Sequence, residues 1–166
     1  DKIGMFEYGG GGFHLVHLTD EDIRIVKDRN LSIITCPSSN LKLASGIAPI
    51  YKYVNEGCNV AIGTDGPASN NCLNMFKEMF LTATLSKALS KDATVLPAFD
   101  VLKMATINAS KALNNNNDYT LKAGNYADIV MIDLHKPNMQ PINDIVSNIV
   151  YSAGKENVLM TMVRGK

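Results

Sequence analysis

The chain has 166 residues, with 16 lysines and arginines balanced by 16 aspartates and glutamates, 46% apolar and 19% charged residues. This is ordinary globular composition and excludes a collagen-like or disordered chain. Zero net charge offers no basic face for phosphate, so nucleic acid is not expected as a partner, and no apolar run reaches the ~18 residues of a membrane span.

Residues 1–8 form a weak amphipathic segment with Ile3, Met5 and Phe6 apolar. The run Gly9-Gly10-Gly11-Gly12 has neither GxGxxG spacing nor a following Gly-Lys-Ser/Thr, so it reads as a turning loop and not as a phosphate cradle. Phe13-His14-Leu15-Val16-His17-Leu18 reads as a strand, with His14 and Val16 on one face and Leu15 and His17 on the other. Thr19-Asp20-Glu21-Asp22 resembles a capping box with Asp in place of Glu or Gln. It opens a short helix carrying Ile23, Ile25 and Val26 and ending near Asn30. A strand over 31–35 is closed by Cys36-Pro37, and the polar stretch 38–46 reads as a loop. Pro49 opens a helix over 50–56, with Gly57 as its cap.

The next strand, 59–64, runs straight into Asp65-Gly66. A carboxylate at the C-terminal end of a buried parallel strand lies where α/β folds keep their chemistry. The competing reading is that Asp65 only caps a turn, since Asp-Gly is a common turn pair. Strands followed by loops and helices at this spacing are βα units, which imply a parallel sheet. Leu73, Met75, Phe76, Met79, Phe80 and Leu85 then mark a helix over roughly 73–89, a stripe that reads as core packing. Pro97 opens another helix with Phe99, Val101, Leu102 and Met104, and a third short run holds Ala109, Ala112 and Leu113.

Asn114-Asn115-Asn116-Asn117 reads as a surface turn. Beyond it 127–134, 149–152 and 158–163 read as short strands with little helix, so a small β module is expected to begin near residue 115. Cys36, Cys58 and Cys72 are odd in number and lack CxxC spacing, which points to reduced thiols and a cytoplasmic location. The first residues enter mid-pattern and the last five stop on a turn signal after a strand. A piece of a larger protein is the expectation.

Three stretches carry a resemblance: 16–22, Pro37-Ser38-Ser39-Asn40-Leu41-Lys42-Leu43-Ala44-Ser45-Gly46-Ile47-Ala48-Pro49, and Gly63-Thr64-Asp65-Gly66-Pro67-Ala68-Ser69-Asn70-Asn71. They resemble the metal-dependent amidohydrolases, in the branch of methylthioadenosine/S-adenosylhomocysteine deaminases and chlorohydrolases. Residues 121–130 look like that family's return from barrel to β-sandwich. The resemblance implies the last βα units of a TIM (β/α)8 barrel over 1–114 and the C-terminal part of a small β-sandwich over 115–166.

It also implies site residues. Asp65 matches the aspartate that binds the metal, and His14 matches a histidine that contacts substrate and the water at the metal. His17 is read as structural, and Leu15, which stands where the family often has cysteine or glycine, is not expected to touch catalysis. The family's His-x-His pair and its middle-strand histidine with a partner glutamate do not occur in this sequence. The implied cofactor is one divalent ion, zinc or else iron, whose full ligand set this chain lacks.

The expected chemistry is hydrolytic deamination of an adenosine thioether. Asp65 would hold the ion and take a proton, His14 would orient the attacking water, and Ser69 would hydrogen-bond substrate or serve only its turn. The expected partners are an aminopurine nucleoside and the missing N-terminal half, with homo-oligomers possible. Two alternatives stand beside this reading. One changes the leaving group, to chloride on a triazine or ammonia on guanine; the other makes the chain a non-catalytic assembly module.

Overall fold

A computed structural model describes residues 3–114 and 120–166. Asn115, Asn116 and Asn117 of the asparagine tract lie outside the described residues. Three short strands, β1 (Gly11–Phe13), β2 (Ser32–Thr35) and β3 (Asn59–Ile62), form a parallel sheet in that order. The registers pair Gly11 with Ser32 and Ile33 with Val60. Helices connect the strands, as parallel pairing requires.

β1 departs from expectation at both ends. Gly11 and Gly12 belong to the strand and not to the loop before it. A Cβ at Gly11 would lie 2.3 Å from the Ser32 carbonyl oxygen, so this close approach of β1 to β2 needs glycine. The strand then stops at Phe13, because His14 and Leu15 adopt left-handed backbone at φ 66° and 44°. The expected alternation over 13–18 therefore does not exist. The His14 amide still donates to Ile34 O at 2.8 Å, so it ends the ladder as the chain turns away.

Helix α1 (Asp20–Asp28) starts as expected. The Asp22 amide donates to Thr19 Oγ1 at 3.2 Å, and the Thr19 amide donates to Asp22 Oδ2 at 2.9 Å. Ile23 and Val26 are its buried stripe, and Ile25 is half-buried. The stretch 38–46, expected as loop, instead opens with helix α2 (Pro37–Lys42). Pro37 sits in its first turn, where proline's fixed φ suits a helix and its missing N–H costs nothing. Helix α3 (Ile50–Asn55) follows Pro49, and Gly57 takes the left-handed turn after it at φ 86°.

Helix α4 (Met75–Ser90) is capped by Asn74, and α5 (Ala98–Ala105) and α6 (Ile107–Ala112) come after it. Together with β2 and β3 these helices enclose Ile33, Tyr53, Val60, Met79, Val101 and Met104, all buried. The α4 stripe differs from the expected one. Phe80 is largely exposed, and the buried face includes Glu78, Thr82 and Ser86. On α6, Asn108 donates to Val60 O at 2.9 Å while its carbonyl accepts from Asn59 Nδ2 at 3.1 Å, which covers part of the outer edge of β3.

After residue 120 two strands, β4 (Ile129–Ile132) and β5 (Val158–Met162), pair antiparallel. The expected strand at 149–152 is instead the end of helix α7 (Ile145–Tyr151). Asp144 caps it, accepting the Ser147 amide at 2.8 Å, and Val150 is buried beneath it. Tyr151 meets Phe80 of α4 edge to face, 6.5 Å between ring centroids, so this helix packs on the core helices. The expectation of little helix in this region is corrected accordingly.

Candidate active site

The C-terminal ends of the three parallel strands bring the expected His14, Asp65 and Ser69 together with two residues not expected there, Ser39 and Asn40. His14 leaves the end of β1, Ser39 and Asn40 sit on α2 directly after β2, and Asp65 and Ser69 follow β3. Parallel strands make this convergence unavoidable, since all their C-terminal ends lie on one side. Asp65 has left-handed backbone at φ 60°, as His14 does. Among the described residues seven further non-glycine residues share that region, Asn30, Lys91 and Leu96 among them, so the conformation shapes these turns and is not by itself a mark of function.

Four hydrogen bonds fix the pair. Ser39 Oγ and Ser69 Oγ both donate to Asp65 Oδ2 at 2.6 Å, and the Gly66 amide donates to Asp65 Oδ1 at 2.7 Å. His14 Nδ1 lies 2.7 Å from Asn40 Oδ1. An amide oxygen only accepts, so Nδ1 is the donor in this pair and Nε2 is the ring nitrogen turned toward Asp65. That Nε2 is 3.8 Å from Asp65 Oδ2. The separation lets one small ion or one water touch both groups.

Electrostatics follow from these contacts. The hydroxyls of Ser39 and Ser69 and the Gly66 amide stabilise the ionised form of Asp65 and bring its pKa down to about 2. Cys36, at the end of β2, moves the other way. Burial, then the charges of Asp65 and Glu78, push its thiol up to about 11, so it is neutral near pH 7. The ionised group at these strand ends is therefore Asp65 and not Cys36.

A carboxylate oxygen and an imidazole nitrogen are ordinary ligands for a divalent ion such as zinc, and here both face one gap. Oδ1 accepts one hydrogen bond and keeps a second lone pair for an ion. The donor set thus fits a divalent metal in type. It falls short in number: among the described residues no cluster of three or more His, Cys, Asp or Glu side chains converges.

The sequence-expected residues are placed as follows. His14 and Asp65 meet, though His14 arrives through a left-handed turn and not through strand alternation. The Ser69 hydroxyl, expected to meet substrate, donates a hydrogen bond to Asp65 Oδ2. His17 Nε2 donates to Ser45 O at 3.1 Å and ties the turn after β1 to the loop after α2. Sequence reasoning missed Ser39, Asn40 and Glu78. Ser39 and Asn40 were hidden in a stretch taken for loop. Glu78 was visible in principle, as a carboxylate three residues after Met75 and one before Met79 on a helix with a buried stripe.

This arrangement defines an α/β protein with an ionised carboxylate and a partnered histidine at the mouth of a parallel sheet. The chain belongs to the amidohydrolase family, whose model matches residues 7–166. It is 48% identical over 165 residues to a 5-methylthioadenosine/S-adenosylhomocysteine deaminase from Caldanaerobacter subterraneus subsp. tengcongensis, covering 99% of this chain and 38% of that protein. It is 45% identical over 166 residues to a 5'-deoxyadenosine deaminase from Methanosarcina mazei, with 100% and 38% coverage. Among solved structures, an adenosine deaminase from Xanthomonas campestris with bound zinc superposes with a TM-score of 0.90 at 39% identity, covering 94% of this chain and 36% of that one. An atrazine chlorohydrolase from Arthrobacter aurescens complexed with zinc gives 0.87 at 25% identity, with 93% and 35% coverage. The chain spans about two-fifths of the length of the relatives it matches.

Proposed function

We propose that the whole protein carrying this chain is a metal-dependent hydrolase that deaminates an adenosine-type thioether nucleoside such as S-adenosylhomocysteine or methylthioadenosine. The observation that carries this is the ionised Asp65 carboxylate facing the free nitrogen of His14 across 3.8 Å at parallel strand ends. The deaminases similar to this chain over nearly all of its length support the substrate class.

In this reading residues 1–114 are the last βα units of a TIM barrel, and 115–166 are the C-terminal part of a β-sandwich. The rest of the protein supplies the remaining metal ligands. Zinc is the favoured ion, because the similar adenosine deaminase holds zinc, with iron second. When bound, the ion would lower the pKa of water from about 15.7 toward about 7.

This chain's own residues would then do three things. Asp65 holds the ion through a carboxylate oxygen. His14 Nε2 accepts a hydrogen bond from the attacking water and steadies charge as the aminopurine carbon becomes tetrahedral. Proton pick-up by Asp65 at Oδ2 requires one serine hydroxyl to let go, so Ser39 and Ser69 control how readily that proton is taken. Water's oxygen replaces the exocyclic amine: the proton taken by Asp65 is handed to that amine, which leaves as ammonia, and water's other proton ends on the ring nitrogen of the product. With the Ser69 hydroxyl hydrogen-bonded to Asp65, we assign that residue to positioning before any contact with substrate.

Free cysteines at 36, 58 and 72 fit a reducing compartment and a cytoplasmic location. Among the described residues no helix is long and apolar enough to cross a membrane. A second reading keeps the site and changes the leaving group to chloride, favoured by the likeness to the chlorohydrolase. The test is Asp65→Ala in the full-length protein. Bound metal and turnover should both be lost, and survival of both overturns the reading. Assaying the wild type against adenosine thioethers, guanine and chlorotriazines separates the leaving groups.

A further inference from the structure

Glu78 is fully buried on the first turn of α4, and its carboxylate reaches away from that helix to the start of α2 and to the loop after β3. Its Oε2 accepts the Ser38 amide at 3.0 Å, and its Oε1 accepts from Asn70 Nδ2 at 2.8 Å. Asn70 Nδ2 also donates to Thr64 O at 2.8 Å. Each contact lies one residue from a group that forms the site: Ser38 precedes Ser39, Asn70 follows Ser69, and Thr64 precedes Asp65.

We infer that Glu78 is a positioning residue whose carboxylate clamps the first turn of α2 to the loop after β3, and so sets where the two serine donors and the Asp65 carboxylate point. The inference rests on Asp65 being the ion-holding group proposed above. Packing alone does not call for a carboxylate here, because burying one costs free energy that an apolar residue of similar volume avoids. Both Glu78 oxygens instead meet donors from different segments, and those segments are the ones that carry Ser39 and Ser69. Lys42 joins the same two segments at the surface, donating to Ala68 O at 2.9 Å and to Asn71 Oδ1 at 2.6 Å. The serines are thus latched from below by Glu78 and from above by Lys42, and only the lower latch is shielded from water.

Glu78→Gln keeps the shape but offers one acceptor where two donors arrive, so one of the Ser38 and Asn70 bonds must fail. Asn70→Ser removes the Asn70 side of the clamp and leaves Glu78 in place. Both variants are made in the full-length protein and loaded with zinc. The measurements are bound zinc per chain, kcat per bound zinc, KM and thermal midpoint, with Asp65→Ala alongside. Loss of an outer-layer partner should cut kcat per bound zinc by ~10–100-fold, with KM within about two-fold because ground-state substrate contacts are untouched. If one variant fails to fold, the other decides. A folded variant with unchanged kcat per bound zinc, even with a lowered midpoint, overturns the clamp as anything but structural. So does a raised KM at constant kcat. If Asp65→Ala keeps metal and turnover, the functional reading falls and takes this inference with it. Loss in Asp65→Ala beside normal Glu78→Gln and Asn70→Ser overturns the clamp alone.

Discussion

Asp65 Oδ2 receives two short hydroxyl bonds, from Ser39 and Ser69, and that doubling explains a carboxylate held well below its usual range. Such a group is suited to remain an anion beside a cation, and it takes up a proton only as one of the two hydroxyls lets go. The consequence for acid stability has a definite sign. A carboxylate with a depressed pKa in the folded state adds stability above its unfolded value of ~3.9, and that stability is lost as pH falls through about 2. Ser39→Ala removes the first-ranked of the stabilising contacts while Ser69 still serves Oδ2, so the folded pKa should rise toward the ordinary carboxylate value. The window of acid loss then narrows from its lower edge, and the contribution itself shrinks. Following the Asp65 carboxyl by NMR in metal-free protein checks this, and an unchanged midpoint in Ser39→Ala would mean that Ser39 is not a real donor. Of these contacts only Asp65 itself was legible in the sequence. Its strand ends in a carboxylate, a linear signal, whereas Ser39 on α2 and Ser69 on the loop after β3 meet it only once parallel strands bring their ends together.

At the scale of elements, what could be read was whatever local chemistry decides. The Thr19 cap was legible because it needs only residues 19–22, and the structure builds the reciprocal pair. Thr19→Ala should therefore destabilise the protein by about 1 kcal/mol, lowering the thermal midpoint by ~2–4 °C in a protein of this size. A shift below a few tenths of a degree would show that the cap contributes nothing. The buried strands β2 and β3 were legible from their apolar, β-branched runs, apart from their ends. Three things were not. The helix α2 is built from Ser-Ser-Asn, residues whose side chains compete for backbone bonds and so read as loop. Ile149 and Val150 belong to a short run that fits strand or helix equally, and the deciding residue, Asp144, lies several positions upstream. His14 turns left-handed, which no periodicity records, and so its meeting with Asp65 could be anticipated from family resemblance but not from alternation.

At the scale of the whole molecule, the three-stranded parallel sheet is unusual in leaving an edge exposed. Parallel sheets are normally covered on both faces and paired along their length. Here Asn108 covers part of the β3 edge, while β1 has no strand beyond it among the described residues, and Phe13 at its end is 65% exposed. An unpaired edge beside exposed apolar side chains is a template for association. The site at the same strand ends supplies two groups able to touch an ion, where tight binding takes three or more protein ligands. Both shortfalls lead to one expectation for the 166-residue polypeptide on its own. It should self-associate in light scattering, bind zinc weakly and turn over no adenosine thioether, and adding the rest of the protein should restore a defined particle and activity together. The coupling is the informative part, since strands paired against β1 would bury its edge and bring further ligands to the same mouth. A well-behaved, inactive monomer would show that the edge is tolerated and that the β1 side is not where the missing partner docks. Turnover by this chain alone would show that two groups suffice, and the reading of Asp65 as one ligand of a larger set would have to be abandoned.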